Sequence, residues 1–238
     1  MGSTRGSGNV KTETRQISGI SAVELDTSGD LTLSQGETES LTIEAEDNLL
    51  PLLTSDVSNG ALTLGTKPNT SISATKPIKY TLVVKNLSSL MLNGSGNIAA
   101  GDLTATDKFT VESNGSGNIV LASLSASATT AHLAGSGALN ISNLNSSSIT
   151  VNIDGSGDAQ ITGTAADQKI EINGSGDFNG EKLAGKTAVV NTNGSGRTTV
   201  QVSDTLNATI NGSGDISYIG NPTVTQSHIG SGRVSQKS

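Results

Sequence analysis

Apolar and polar residues alternate along most of this chain, and one triplet punctuates the alternation. Gly-Ser-Gly begins at Gly94, Gly115, Gly135, Gly155, Gly174, Gly194, Gly212 and Gly230, in steps of 21, 20, 20, 19, 20, 18 and 18 residues. With the first glycine of each triplet as position zero, positions −4, −2, +4 and +6 of the first seven copies are apolar at 24 of 28 places, from Leu90 and Leu92 to Ile216 and Tyr218. Positions −3, +3 and +5 supply 21 residues, of which only Met91, Ala99, Val120 and Ala138 are apolar. A period of two puts successive side chains on opposite faces of a strand, whereas a helix needs apolar spacings of three and four. Short strands returning at this interval predict coils of chain stacked on one another. The expected fold is all-β, a β-solenoid with about 20 residues per repeat and rungs about 4.8 Å apart.

The parity of the alternation runs unbroken through the triplet. It turns both glycines of each corner inward: Gly94 and Gly96, Gly115 and Gly117, Gly135 and Gly137, Gly155 and Gly157, Gly174 and Gly176, Gly194 and Gly196, Gly212 and Gly214, and Gly230 and Gly232. A narrow corner has no room for an inward side chain, and glycine also tolerates the positive φ of a sharp bend. The serines Ser95, Ser116, Ser136, Ser156, Ser175, Ser195, Ser213 and Ser231 are expected to form an outward polar row. Position −1 holds Asn93, Asn114, Ala134, Asp154, Asn173, Asn193 and Asn211; asparagine before glycine favours a turn, and stacked asparagines can bond to one another, so the corner is either a tight reversal or a sharp bend. Leu103, Leu124, Leu144 and Leu183 share position +9 and break the parity, so a second turn lies between +6 and +9 and absorbs the varying step.

Upstream, Gly6-Ser7-Gly8-Asn9 and Thr27-Ser28-Gly29-Asp30 read as two earlier corners 21 residues apart, so that the coil starts at the N-terminus. Strand-like pieces follow at Leu31–Leu33, Leu41–Ile43, Leu62–Leu64 and Tyr80–Leu82, and Asp47–Ser55, with Pro51 inside, suits one helical turn. Residues 1–85 are expected to form irregular rungs that also cap one end, and residues 86–238 the regular solenoid, in one continuous body.

Composition narrows the function. Only 33% of residues are hydrophobic and 2% aromatic, which suits a slender core. A formal net charge of −7 without a Lys/Arg cluster argues against nucleic acid. No stretch approaches 18 consecutive apolar residues, so no transmembrane segment is expected. The absence of cysteine removes disulfides and thiol chemistry.

The run "GSGNVKTETRQISGISAVELDTSGDLTL", then "ESLTIEAEDNLLPLL", "NGALTL" and serial "NGSGNI/NGSGD", resembles the head-GIN family of putative auto-transporter adhesins over essentially the whole chain. The resemblance implies a right-handed parallel β-helix similar to pectin-lyase folds, with the triplet at tight turns between sheets. It implies cell adhesion at the envelope of Gram-negative bacteria, with no established catalytic residues. Members commonly carry a signal or lipoprotein leader, and the start Met1-Gly2-Ser3 fits one already removed.

Among sites, the column at +3 is the sharpest: Asn97, Asn118, Ala138, Asp158, Asp177, Arg197, Asp215 and Arg233. Asp158 and Asp177 should stack about 4.8 Å apart, which overlaps the spacing of a retaining glycosidase, and Asp154 lies one corner away. The alternative to an adhesin is therefore a carbohydrate-active β-helix enzyme using Asp154, Asp158 and Asp177. Against it, Arg197 falls between Asp177 and Asp215, so the column also reads as an ion-pair ladder. The serine row has no base to activate it: the only histidines are His132, facing outward, and His228, in the degraded last repeat. The period of about 20 does not match the calcium-binding nonapeptide, and no helix follows the triplets to make a phosphate cradle, so no metal and no cofactor is implied. The reading is a non-catalytic, exported structural or adhesive module at the cell surface, outer membrane or periplasm. Its partner would be a cell-surface or host protein or a glycan, and self-association, as a trimer, is expected by analogy with adhesin heads.

Overall fold

The computed structural model describes residues 3–237. In chain order the strands are β1 (Thr4–Arg5), β2 (Val10–Arg15), β3 (Ala22–Leu25), β4 (Asp30–Gln35), β5 (Ser40–Glu46), β6 (Leu53–Ser58), β7 (Ala61–Thr66), β8 (Ile72–Ser73), β9 (Lys79–Val84), β10 (Ser89–Leu92), β11 (Ile98–Thr104) and β12 (Lys108–Ser113). They continue with β13 (Ile119–Leu133), β14 (Leu139–Ile153), β15 (Ala159–Ile172), β16 (Phe178–Thr192), β17 (Thr198–Ile210), β18 (Ile216–Ile219), β19 (Thr223–His228) and β20 (Val234–Gln236). From β10 onward every pairing is parallel and joins a coil to the one before it: the chain is a β-solenoid.

Each coil has three sides. Between β13 and β14 the register falls into three runs, Ile119–Leu121, Leu124–Ala126 and Ala128–Leu133. The first corner is the triplet, a bend with strands on both sides that never reverse. The second is the turn expected between +6 and +9, and the register shifts there, between Ile141 and Leu144, Gln160 and Gly163, and Gly180 and Ala184. The third, at Ser127 and Ser147, carries no residue signature, because one exposed small residue makes the bend.

The alternation is realised as burial. All 28 residues at −4, −2, +4 and +6 of the seven regular coils are buried except the half-buried Tyr218. Ser113, Thr192 and Thr198 occupy three of these places, and their hydroxyls have no hydrogen-bond partner among the described residues. Leu103, Leu124, Leu144 and Leu183 line the second corner, fully buried. Each buried Leu or Ile contributes about 1.5–3 kcal/mol, and the strand ladders join each coil to its immediate neighbours, so stability accumulates rung by rung along one thin core.

The N-terminal end differs from a simple continuation. Thr27–Asp30 is a true corner: Gly96 N–H donates to the Thr27 carbonyl at 3.0 Å, and β3 and β4 lie in parallel register under β10 and β11. Gly6–Asn9 is not one. It packs against Asp47 and Asn48 and leads into β2, which pairs antiparallel with β5. Spatially, β7 and β9 form the rung beyond β3 and β4, so chain order and stacking order part company here. β5 lies antiparallel on β9, and β6 lies antiparallel on β7 through a two-residue turn at Asn59 and Gly60, with φ of 50° and 81°. The expected helical turn is the 3-10 helix Leu50–Leu52.

Two charged side chains dress this end. Buried Glu46 accepts from the N–H groups of Gly8, Thr75 and Lys76 and from the Thr75 hydroxyl, which ties the N-terminal segment and the loop before β9 to β5. The Thr75 hydroxyl is the first cause that holds its carboxyl down at about 2. Arg15 donates to the carbonyls of Leu50 and Leu53 at 3.0 and 2.9 Å.

Candidate functional site

At the triplet corner four columns of like residues run side by side along the solenoid. The glycine columns are held by the backbone. From Gly115 onward the carbonyl of each first glycine accepts the N–H of the next serine and, at most rungs, that of the next second glycine, as Gly135 does from Ser156 and Gly157, both at 3.2 Å. This doubly used carbonyl stands directly under the next corner. A Cβ on Gly115, Gly137, Gly155 or Gly174 would fall on the carbonyl oxygen of the equivalent glycine one rung earlier. Glycine is therefore required by vertical stacking. The positive φ expected for these corners is absent from all of them but Gly230, at 141°.

The serines Ser95 to Ser231 are all exposed, and the row is held through its N–H groups; one hydroxyl contact links Ser213 to Ser195 at 3.3 Å. Nothing basic lies against these hydroxyls among the described hydrogen bonds. The asparagines do form a ladder: Asn114 donates to Asn93, Asn193 to Asn173 and Asn211 to Asn193 at 2.8–2.9 Å. Ala134 interrupts it. Across that gap His132 Nε2 meets Asp154 Oδ2 at 2.7 Å, while Asn173 donates to Asp154 Oδ1 at 2.7 Å. The amide of Asn173, then His132, hold the Asp154 carboxyl below the usual carboxylate range, so it is a poor proton donor at neutral pH.

At +3 the dominant link is not an ion pair. Each Asx Oδ1 accepts the backbone N–H of the next rung's +3 residue: Asp30 from Asn97, Asn97 from Asn118, Asn118 from Ala138, Asp158 from Asp177, Asp177 from Arg197 and Asp215 from Arg233, at 2.7–3.0 Å. Among the described residues a single ion pair accompanies it, Arg197 to Asp177 at 3.4 Å, with the Arg197 side chain largely exposed and that of Asp177 partly so. The three candidate acids do not converge on a pocket; Asp158 and Asp177 are joined through a main-chain amide on an open face. The ladder has breaks at Ala138 and Arg197, which offer no acceptor. Ala138→Asn is expected to supply one for the Asp158 N–H and to stabilise the protein by about 0.5–1 kcal/mol, read as a higher urea midpoint at unchanged m-value.

Sequence reasoning found the columns but missed the side-chain-to-backbone bonding at +3 and the roles of Glu46 and Arg15. The first had a signal, since Asn and Asp interchange freely there, as expected when only a carbonyl-type oxygen is used. The second had none, because the partners of Glu46 lie 29 to 38 residues away.

Known proteins share this architecture. A structure of a "putative lipid binding protein" from Parabacteroides distasonis superposes with a TM-score of 0.94 at 24% identity, covering 100% of both chains. A "putative adhesin" from Parabacteroides merdae does so at 0.93 and 24%, over 99% of both chains. Another from Bacteroides fragilis reaches 0.75 at 23%, over 98% of this chain and 99% of that one. At such identities the likeness is one of fold. No curated protein matches. The family model for the "putative auto-transporter adhesin, head GIN domain" matches twice, at residues 20–142 and 123–222, the two copies overlapping on the repeat. Those matches cover most of the corners and the rungs between them, and by them the chain belongs to the head GIN domain family of putative auto-transporter adhesins.

Proposed function

We propose that this protein is a non-catalytic, exported module that works by contact at the outer membrane or periplasmic face of the cell envelope, holding a surface protein or glycan. The observation that supports this most directly is the use of the corner carboxylates. Asp158 and Asp177 are occupied as ladder acceptors, and Asp154, in a shallow depression apart from them, is held by Asn173 and His132, where a glycosidase needs a sheltered pair with separated proton affinities. The family's adhesin description points the same way. A trimer, by analogy with adhesin heads, is the assembly this reading predicts, and sedimentation checks it.

Beads coated with the protein are expected to be retained on matrix- or mucin-coated surfaces. Retention no greater than that of an unrelated protein of equal net charge would overturn the reading. In parallel, acidic and neutral polysaccharides incubated with the protein are expected to show no new reducing ends or unsaturated products. Turnover abolished by both Asp158→Asn and Asp177→Asn would establish the enzyme instead.

A further inference from the structure

Asparagine is followed by glycine seven times, at Asn59, Asn93, Asn114, Asn173, Asn179, Asn193 and Asn211. This dipeptide is prone to ring closure within the chain, because glycine has no Cβ to shield the backbone nitrogen that follows the asparagine side chain. That nitrogen reaches the side-chain Cγ only when the side chain is free to turn and the peptide between them is free to rotate. The fold distributes this freedom unevenly.

Five of the seven stand at triplet corners, and each has its amide tied. Asn114 donates to Asn93 at 2.9 Å, Asn173 to Asp154 at 2.7 Å, and Asn193 to Asn173 and Asn211 to Asn193 at 2.8 Å, while Asn93 donates to Glu24. Their backbone is tied as well: the N–H groups of Asn93, Asn114, Asn173, Asn193 and Asn211 donate to carbonyls of the preceding rung at 2.7–3.0 Å. The sixth, Asn179, lies in β16 between Gln160 and Thr199 of the flanking strands, and its Oδ1 accepts the Glu181 N–H at 3.1 Å. The seventh differs in each respect. Asn59 is exposed at the tip of the β6–β7 hairpin, in the left-handed region at φ 50°, and its side chain makes no hydrogen bond among the described residues. The Gly60 N–H donates to no described group either, whereas the Gly60 carbonyl accepts the N–H groups of Ser21 and Ala22 at 2.8 and 3.1 Å.

We propose that Asn59 is a modification site, the one Asn-Gly of the folded protein that converts spontaneously to isoaspartate and aspartate, and that the asparagine ladder and the paired strands shield the other six. Hydroxide takes the amide proton of Gly60, and the nitrogen attacks Asn59 Cγ. The Cγ–Nδ2 bond breaks, ammonia leaves, and a five-membered succinimide remains. Water then adds to one of the two ring carbonyls: opening at Cγ gives aspartate, and opening at the main-chain carbonyl gives isoaspartate, which routes the backbone through the side chain and lengthens it by one methylene. A two-residue turn has no slack for that addition. The Gly60 carbonyl shifts away from Ser21 and Ala22, and the hairpin that seats β7 on β3 loosens at its tip. The site is independent of the surface contact proposed above.

Hydroxylamine reads the reaction, since it cleaves the chain at the succinimide of Asn-Gly. The whole folded protein in mildly alkaline hydroxylamine is expected to split only between Asn59 and Gly60, and the chain unfolded in guanidinium to split at all seven places. In heavy-oxygen water without hydroxylamine, label should enter residue 59 at least about tenfold faster than any corner asparagine, because a corner must open before it reacts. Asn59→Gln, whose longer side chain closes a ring far more slowly, is expected to leave the folded protein uncut, and its six intact Asn-Gly sites report that it is folded. Amide exchange at Ser21 and Ala22 should quicken as isoaspartate accumulates. Cleavage at a corner as fast as at Asn59 in the folded protein, an uncut Asn59 in folded protein whose unfolded chain is cut there, or corners as resistant unfolded as folded would each overturn the proposal. Unchanged exchange at Ser21 and Ala22 in fully converted protein would overturn the loosening of the hairpin.

Discussion

Gly137→Ala is expected to be among the most damaging single substitutions in the solenoid, lowering stability by about 3 kcal/mol or more or preventing folding outright. Its Cβ would stand 1.8 Å from the Gly117 carbonyl oxygen and 2.8 Å from the Gly117 carbonyl carbon. Neither atom can retreat, because they belong to the stacked backbone one rung below, with coils fixed above and below it. Relief would require the coils to separate along the axis, which breaks ladders on all three sides at once. Two controls isolate the cause. Ser136→Ala, one residue earlier and exposed, is expected to stay within about 0.5 kcal/mol of the wild type. Gly101→Ala, at a position with open space and no positive φ, is expected to be neutral or to stabilise by up to about 1 kcal/mol. Urea unfolding of the three variants checks the order. A Gly137→Ala protein as stable as the wild type would mean that the rungs can spread, and the stacked-corner account would fail.

Acidification is expected to release the N-terminal cap before the regular coils. Glu46 has its carboxyl depressed from 4.5 to about 2 by the Thr75 hydroxyl and by the amides of Thr75, Gly8 and Lys76. A depressed folded-state value means that the ion is bound more tightly in the folded protein. The stabilisation is complete above about pH 4.5 and is lost progressively as pH falls towards 2. Protection factors at Gly8, Thr75 and Lys76, taken relative to the intrinsic exchange rate at each pH, should fall steeply across that window while amides in β14 and β15 stay protected. Glu46→Gln should bring the same loss to neutral pH, with exchange at these amides at least about tenfold faster and little further change on acidification. Asp47, held low by the Ser7 hydroxyl and the Asn9 amide, belongs to the same junction and sharpens the transition. If β14 and β15 lost protection together with the cap, the two ends would be one cooperative unit and the cap no separate latch.

The regular coils were legible because each residue's environment repeats. Ile119, Leu139 and Ala159 sit in one column at one parity, so a rule learned at one rung holds at the next. The varying step was legible too, since Leu124 and Leu144 mark the far side of the second corner. The N-terminal segment was not. Gly6–Asn9 has the letters of a corner, yet its neighbours are Glu46, Asp47 and Asn48 and not another triplet. A corner is made by what lies beneath it, and there the local pattern carries no such information. The same limit hid the bonding at +3: the sequence placed Asp158 and Asp177 on adjacent rungs, but only the relative height of the two strands makes the Asp177 amide the partner of the Asp158 oxygen.

By itself the sequence determined the class of fold, the inward and outward columns, and the need for glycine at the corner, because alternation and repeat length are local properties that survive in any stack of parallel strands. Tertiary structure decided the rest: the three-sided cross-section, the antiparallel cap inserted below the first rung, and the carbonyl that makes the glycines irreplaceable. It also decided that the N-terminal end is latched by Glu46 and Arg15. Those features depend on the axial distance between segments far apart in the chain, and a pattern of residue types along one strand has no term for that distance.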